Sequence, residues 1–186
     1  MRASEWQVWD ERGRRKYLTE AETQRFLSAT VAMDNRRRAF CLVVAYTGCR
    51  VSEALLLTKG QIAPGVITLS TLKRRRPVFR QLQVPIWLTD QLLELGNDCG
   101  DDDRLWRAHR ATAWRWIKQA MNFAAIAGAC ASPKGLRHGF GMRAAHAQTP
   151  PNLIQRWLGH ASPETTMIYL DACGAEERAF AERAWP

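Results

Sequence analysis

The chain has 186 residues, 46% of them hydrophobic, and a formal charge of +9, which fits one large domain or two small ones around a buried core. The opening MRASEWQVWDERGRRK has no apolar stretch behind its basic residues, and the longest apolar run, Ala39 to Tyr46, is too short to cross a bilayer. Neither a secretory signal nor a membrane-spanning helix is expected, and the chain is expected to be soluble and cytoplasmic.

In chain order, residues 1–17 form a basic segment, and helices follow. Leu18 to Ala29 opens with Thr19 and Glu22 at capping-box spacing. Asn35 to Tyr46 is predicted as a second helix with Phe40, Val43 and Val44 inward, ended by Thr47-Gly48. A short third helix runs from Ser52, the expected cap, to Leu57. The pattern then turns to β-branched alternation at Gly65 to Leu69 and Val78 to Val84, an antiparallel pair with the basic Lys73 to Pro77 stretch between. Helical periods return at Thr89 to Leu95 and across Ala111 to Ala127, after a solvated Asp101-Asp102-Asp103 loop. Ser132-Pro133, Thr149-Pro150 and Ser162-Pro163 each place a hydroxyl before a proline, and each is expected to start a helix. The fold class is mainly α with a small antiparallel β-sheet (α+β), in one domain over residues 18–186. Of the eight tryptophans, Trp87, Trp114 and Trp157 are expected in the core, while Trp6 and Trp9 are open to packing or to a partner.

Five scattered cysteines (Cys41, Cys49, Cys99, Cys130, Cys173) lack paired metal-ligand spacing and are expected as free thiols, with no metal site. No glycine-rich phosphate loop occurs, and Asp101 to Asp103 reads as a solvated loop and not a magnesium site, so neither a nucleotide cofactor nor magnesium is expected. Lysine and arginine gather at Arg12 to Lys16, Arg36 to Arg38, and Lys73 to Arg76 with Arg80 beyond. One such run is an ordinary solvated turn; three on a small basic chain point to a polyanion.

Four segments, in order, resemble the boxes of the tyrosine site-specific recombinases, the phage integrase family. Ala45-Tyr46-Thr47-Gly48-Cys49-Arg50-Val51-Ser52-Glu53 resembles the first arginine box, and Thr71-Leu72-Lys73 resembles the lysine hairpin. Lys134-Gly135-Leu136-Arg137-His138 is similar to the His-x-x-Arg box, with lysine where the family more often has histidine. Leu158-Gly159-His160 and Thr165-Thr166-Met167-Ile168-Tyr169 resemble the last box. The resemblance runs from Leu18 onward and implies the recombinase catalytic-domain fold. It also implies a catalytic set of Arg50, Lys73, Lys134, Arg137, His160 and Tyr169. Tyr169 would be the nucleophile, Lys73 the acid for the leaving oxygen, and Lys134 either a base or a further cation.

Chemistry suits these residue types. An arginine fork matches a phosphate, and a helix N-terminus such as that before Arg137 favours an anion. Taken singly, Arg50 could equally bridge to Glu53, Tyr169 beside Ile168 and Leu170 could be core, and His138 reads as packing or support. The resemblance implies site-specific breakage and rejoining of double-stranded DNA through a 3′-phosphotyrosine, without metal or ATP. It also implies a homo-oligomer, a tetramer on DNA, at the nucleoid, with an accessory DNA-bending protein as a possible partner. The alternatives are a non-catalytic DNA-binding regulator on the same fold and a topoisomerase-like relaxing enzyme. Only a short segment precedes the match, as in short recombinases that lack a separate DNA-clamping domain, and the initial Met favours a complete short chain over a fragment. The tail, Ala175 to Trp185, carries Phe180 and Trp185 and is a candidate for docking on a neighbouring subunit.

Overall fold

The computed structural model describes residues 7–71 and 78–171, together with Glu182 and Trp185. Lys73, Cys173 and most of the tail lie outside the described residues. Helix α1 (Glu20–Ala29) has the expected capping box: Glu22 N donates to Thr19 Oγ1 at 3.2 Å, and Thr19 N donates to Glu22 Oε2 at 2.9 Å. Helix α2 (Asn35–Thr47) is the central rod, with every residue from Ala39 to Ala45 buried. A helix apolar all round must be enclosed on all sides, and α1, α3 (Val51–Ala54), α4 (Ile86–Leu95), α5 (Arg110–Phe123) and α6 (Pro133–His146) all pack on it.

Between α3 and α4 lies a three-stranded antiparallel sheet in the order β1 (Ile62–Ala63), β2 (Val66–Thr71), β3 (Val78–Gln83). β2 and β3 pair from Val66↔Gln83 to Thr71↔Val78, so Lys73 belongs to the six-residue link between their paired ends. Thr68 and Ser70 are half-buried, while Ile67 and Leu69 turn fully inward. The two-residue β1 was too short to show as an alternating run.

Two apolar clusters result. The larger surrounds α2 and includes Phe26, Phe40, Leu57, Leu88, Trp106 and Ile117. The smaller joins α6 to α7 (Pro151–Leu158) and α8 (Glu164–Leu170), with Met142, Ile154, Leu158 and Tyr169 at its centre. Val8 is buried in that second cluster, and Trp9 meets the edge of Tyr17 at 5.9 Å. The described part of the N-terminal segment therefore lies against the body.

Several local expectations need correction. Ser132 caps α6 as expected, accepting from Gly135 N at 3.0 Å. Thr149 and Ser162 do not cap: α7 is preceded by Pro150 and α8 by Pro163, neither with a side-chain cap. The start of α3 lies two residues early, with Arg50 and not Ser52 at its N-cap position. Trp87 and Trp114 are not core, being 47% and 46% exposed. Trp87 lies edge-on to Tyr46, and Trp114 lies beneath the Lys118 ammonium. The aromatic payload goes instead to Trp106, which is 1% exposed, meets Phe40 edge-on and donates Nε1–H to Arg36 O at 2.8 Å.

Part of the basic surface is used internally. Arg14 pairs with Asp10, Arg15 with Glu22, and Arg37 with Asp34, while Arg36 donates to Leu105 O. Among the described residues, Cys41, Cys49, Cys99 and Cys130 are free. Burial pushes the Cys41 thiol up to about 12, and burial with the neighbouring Glu53 carboxylate pushes Cys49 up to about 11, so both are inert. No described group of three His, Cys, Asp or Glu residues could hold a metal ion, and no described helix is long and apolar enough to cross a membrane.

Candidate active site

Gly48 ends α2 in the left-handed region, at φ 60°. A Cβ there would come within 2.6 Å of the Phe140 ring and 2.9 Å of Leu158, so only glycine lets the end of α2 meet both α6 and α7. The chain turns out of it directly into Arg50. The Arg50 backbone N–H donates to Glu53 Oε2 at 3.0 Å, and its Nη1 to Glu53 Oε1 at 2.8 Å. The ion pair considered as an alternative role for Arg50 is thus present. Yet the Arg50 side chain keeps 21% of its surface exposed, while Glu53 has none, so Arg50 is not enclosed with its partner.

Arg137 occupies the first turns of α6 and points inward, 6% exposed. Its Nη1 donates to Gly48 O at 2.8 Å and its Nη2 to Leu158 O at 2.7 Å. One planar fork therefore ties the turn before Arg50 to the turn before His160. Burial, with the Arg50 charge nearby, holds its pKa down to about 10; the group is still a cation at neutral pH. Lys134, three residues earlier, is exposed, so the two differ in burial although they share a turn spacing.

Gly159 ends α7 with φ 65° and places His160 at the start of the α7–α8 turn. His160 is 3% exposed, and its Nδ1 lies 2.9 Å from Thr166 Oγ1 on α8. Its ring lies nearly parallel to that of Tyr169, at 17° and 6.1 Å between centroids. Burial, then Arg137 and Arg50, push its pKa down to about 3, so the imidazole is neutral.

Tyr169 is completely buried. Its Oη lies 3.0 Å from His138 Nδ1, and its ring lies over Gly141, where a Cβ would meet ring atoms at 2.6 to 2.8 Å. Burial raises the phenol to about 12, against the opposing pull of Arg137 and Arg50. His138 is neutral too, pushed down to about 3 by burial and by Lys134, Arg137 and Lys16. The expectation that His138 packs or supports its neighbours is met: it holds the phenol oxygen.

Of the six residues the sequence nominates, Arg50, Arg137, His160 and Tyr169 come together from four separate segments. Lys134 is exposed near the start of α6, and Lys73 lies outside the described residues. Two contributors went unnominated. Gly141, the seat of the tyrosine ring, has no local signal at all. Arg80 was visible as one basic residue among several, but on β3 it alternates onto the same inward face as Leu82. A charge on the buried face of a strand needs partners, and that was the available signal. Arg80 Nη2 donates to Glu53 Oε2 at 2.7 Å, Nη1 to Thr71 Oγ1 at 2.8 Å and Nε to Trp157 O at 2.8 Å.

The sequence profile of the phage integrase family matches residues 16–175. The chain belongs to the phage integrase family. A resolvase of Escherichia coli is 28% identical over 190 residues, covering 83% of this chain and 72% of that protein. Tyrosine recombinase XerA of Pyrococcus furiosus is 28% identical over 180 residues, covering 91% of this chain and 62% of that protein. Tyrosine recombinase XerD of Pseudomonas aeruginosa is 31% identical over 169 residues, covering 83% of this chain but only 56% of that protein. The crystal structure of XerA recombinase superposes with a TM-score of 0.76 at 28% identity, covering 91% of this chain and 65% of that one. The catalytic domain of bacteriophage HP1 integrase shares the fold, with a TM-score of 0.67 over 89% of this chain and 93% of that domain. The expected mainly helical catalytic-domain fold is therefore present, and the chain spans about two thirds of the XerA chain it matches.

Proposed function

We propose that this family member is a site-specific DNA recombinase that breaks and rejoins double-stranded DNA through a 3′-phosphotyrosine at Tyr169. The observation that carries the reading is the Arg137 fork, bonded to Gly48 O and Leu158 O. It gathers the Arg50 turn and the His160 turn around one point, and Tyr169 lies against His160 and His138 beside it. Two cations and a neutral imidazole gathered in one place suit the non-bridging oxygens of a phosphodiester, where charge grows in the transition state.

In the first step Tyr169 Oη bonds to phosphorus and the bond to the 5′-oxygen breaks. Lys73 supplies the proton that the departing oxygen takes. Lys134, as the neutral amine, takes the phenol proton as the bond to phosphorus forms, or it serves as a further phosphate cation while the phenol proton passes to solvent. In the second step a 5′-hydroxyl attacks the phosphotyrosine, rejoins the strand and frees Tyr169. The bond energy is conserved in the protein–DNA link, so the scheme uses neither metal nor ATP. The chain acts as a homo-oligomer on its DNA, a tetramer at strand exchange. A crystal structure of XerH site-specific recombinase bound to palindromic difH substrate, a post-cleavage complex, has the same fold at 22% identity and a TM-score of 0.77.

The test is covalent capture. The chain is incubated with a pool of nicked duplexes carrying a randomised core, and DNA that stays attached under denaturing conditions is recovered and sequenced. The expected result is one enriched site, with no adduct from Tyr169→Phe although that variant still shifts the recovered duplex on gels. Adduct from the phenylalanine variant moves the nucleophile elsewhere, and binding without any adduct makes the chain a DNA-binding regulator. Joining of the captured strand to a second duplex separates recombinase from relaxing enzyme.

A further inference from the structure

We infer that Arg80 is a positioning residue for Arg50: set against Glu53 in the interior, it leaves Arg50 the net positive charge that a scissile phosphate requires. The inference rests on the functional reading above. Glu53 is buried with none of its side chain exposed, and each oxygen has its own arginine, Oε1 that of Arg50 and Oε2 that of Arg80. Oε2 also accepts from the Arg50 backbone N–H at 3.0 Å. The carboxylate thereby fixes both ends of Arg50, its backbone and its guanidinium.

A buried carboxylate that faced Arg50 alone would cancel its charge and draw its fork inward to both oxygens. Arg80 prevents this, because two cations against one carboxylate leave the trio positive. Arg80 does not itself reach a ligand. Its side chain is 3% exposed, and Nε, Nη1 and Nη2 each donate to a partner, Trp157 O, Thr71 Oγ1 and Glu53 Oε2. Two of these bonds also pin the strand end ahead of the Lys73 link and the last turn of α7 ahead of His160. Gly159 gives the guanidinium room, since a Cβ there would lie 3.1 Å from Arg80 Cζ.

Charge and shape are separable by a double substitution. The rate of covalent adduct formation is measured on the nicked duplex recovered with the unsubstituted chain, alongside the dissociation constant for the same duplex. Arg80→Gln removes the cation and is expected to slow adduct formation by about a hundredfold, the scale of losing one transition-state charge contact, with DNA binding changed by less than about threefold. Adding Glu53→Gln restores the net charge while removing a second native group. The double variant is therefore expected to react at least about tenfold faster than Arg80→Gln alone. A merely structural arginine predicts the opposite, since the second change disturbs packing further. Arg80→Lys keeps the cation but not the fork, and is expected to fall by no more than about tenfold; it decides the matter if Arg80→Gln does not fold. A double variant no faster than Arg80→Gln, or a folded Arg80→Lys as slow as Arg50→Ala, overturns the inference while the unsubstituted chain still gives adduct. Absence of adduct from the unsubstituted chain overturns the functional reading and this inference with it.

Discussion

Replacing Gly141 with alanine tests where Tyr169 rests. The added Cβ would sit 2.6 Å from the ring Cζ, 2.7 Å from Cε2 and 2.8 Å from Cε1, far inside van der Waals contact. The ring cannot simply slide, because its hydroxyl is bonded to His138 and its face lies along His160. Two responses are open to the chain. If the surroundings yield, overpacking costs about 1–3 kcal/mol, offset by about 1 kcal/mol from the better helix former. If the ring leaves its seat, about 1.5–3 kcal/mol of burial and about 1 kcal/mol of hydrogen bonding are lost, with the same offset. The cheaper route sets the result, a net destabilisation of up to about 2 kcal/mol, read as a lower urea midpoint at unchanged slope. A tyrosine absorbance titration distinguishes the two, since an expelled ring moves the phenol that titrates at about 12 back toward its ordinary value of 10.0. Gly135→Ala is the reference: its Cβ would lie 1.9 Å from Cys130 O, a backbone atom that cannot swing aside, and its cost must be larger. Greater stability in Gly141→Ala, with the phenol unmoved, or a cost matching that of Gly135→Ala, would refute the seating of the ring on α6.

Arg137→Lys keeps a cation but cannot bond Gly48 O and Leu158 O together, so unfolding by urea should show a loss of about 2–3 kcal/mol and adduct formation should fall with it; unchanged stability would mean the fork is not what joins the two turns. Stability should also decline in acid: His138 and His160 are held at about 3, chiefly by burial, against an ordinary 6.5. The unfolded chain takes up those protons first, so their contribution is whole above about pH 6.5 and drains away toward pH 3, at up to about 1.4 kcal/mol per pH unit per histidine. A urea midpoint flat between about pH 7 and pH 5 would contradict neutral, buried imidazoles.

The parts of the site that the sequence revealed were those written in local chemistry. Gly48 before Arg50, Ser132-Pro133 before Arg137, and Gly159 before His160 each encode a turn and a helix boundary within a few residues. Their side chains therefore stand at predictable places. What stayed hidden depends on contacts across the fold. Arg80 meets Glu53 from a strand 27 residues on, and Gly141 meets Tyr169 through a helix crossing, so neither is marked by spacing. The tryptophans failed for a related reason. On α5 the buried line is Ala113, Ile117, Ala120 and Met121, and Trp114 falls just beside it, on the flank where its ring covers the surface. Apolar character suggested core, but the line packed against α1 and α2 is already filled by those four side chains.

On the proposed reading, the resting site is chemically quiet, and its electrostatics say when it can react. With the phenol at about 12 and His138 at about 3, the proton stays on Tyr169, so His138 holds the hydroxyl without removing its hydrogen. Arg137 and Arg50 are the two groups that draw the phenol down against burial. They are also the groups a phosphodiester would occupy. An anion between them spends the same positive charge that would have favoured a phenolate. Substrate binding by itself therefore makes Tyr169 harder to ionise, not easier. Proton loss must accompany the forming bond to phosphorus, when charge passes from the phenol oxygen onto the phosphoryl group and the two arginines stabilise both together. A site built this way does not hold a standing nucleophile in the absence of DNA, and its reactivity appears only once the phosphate is in line.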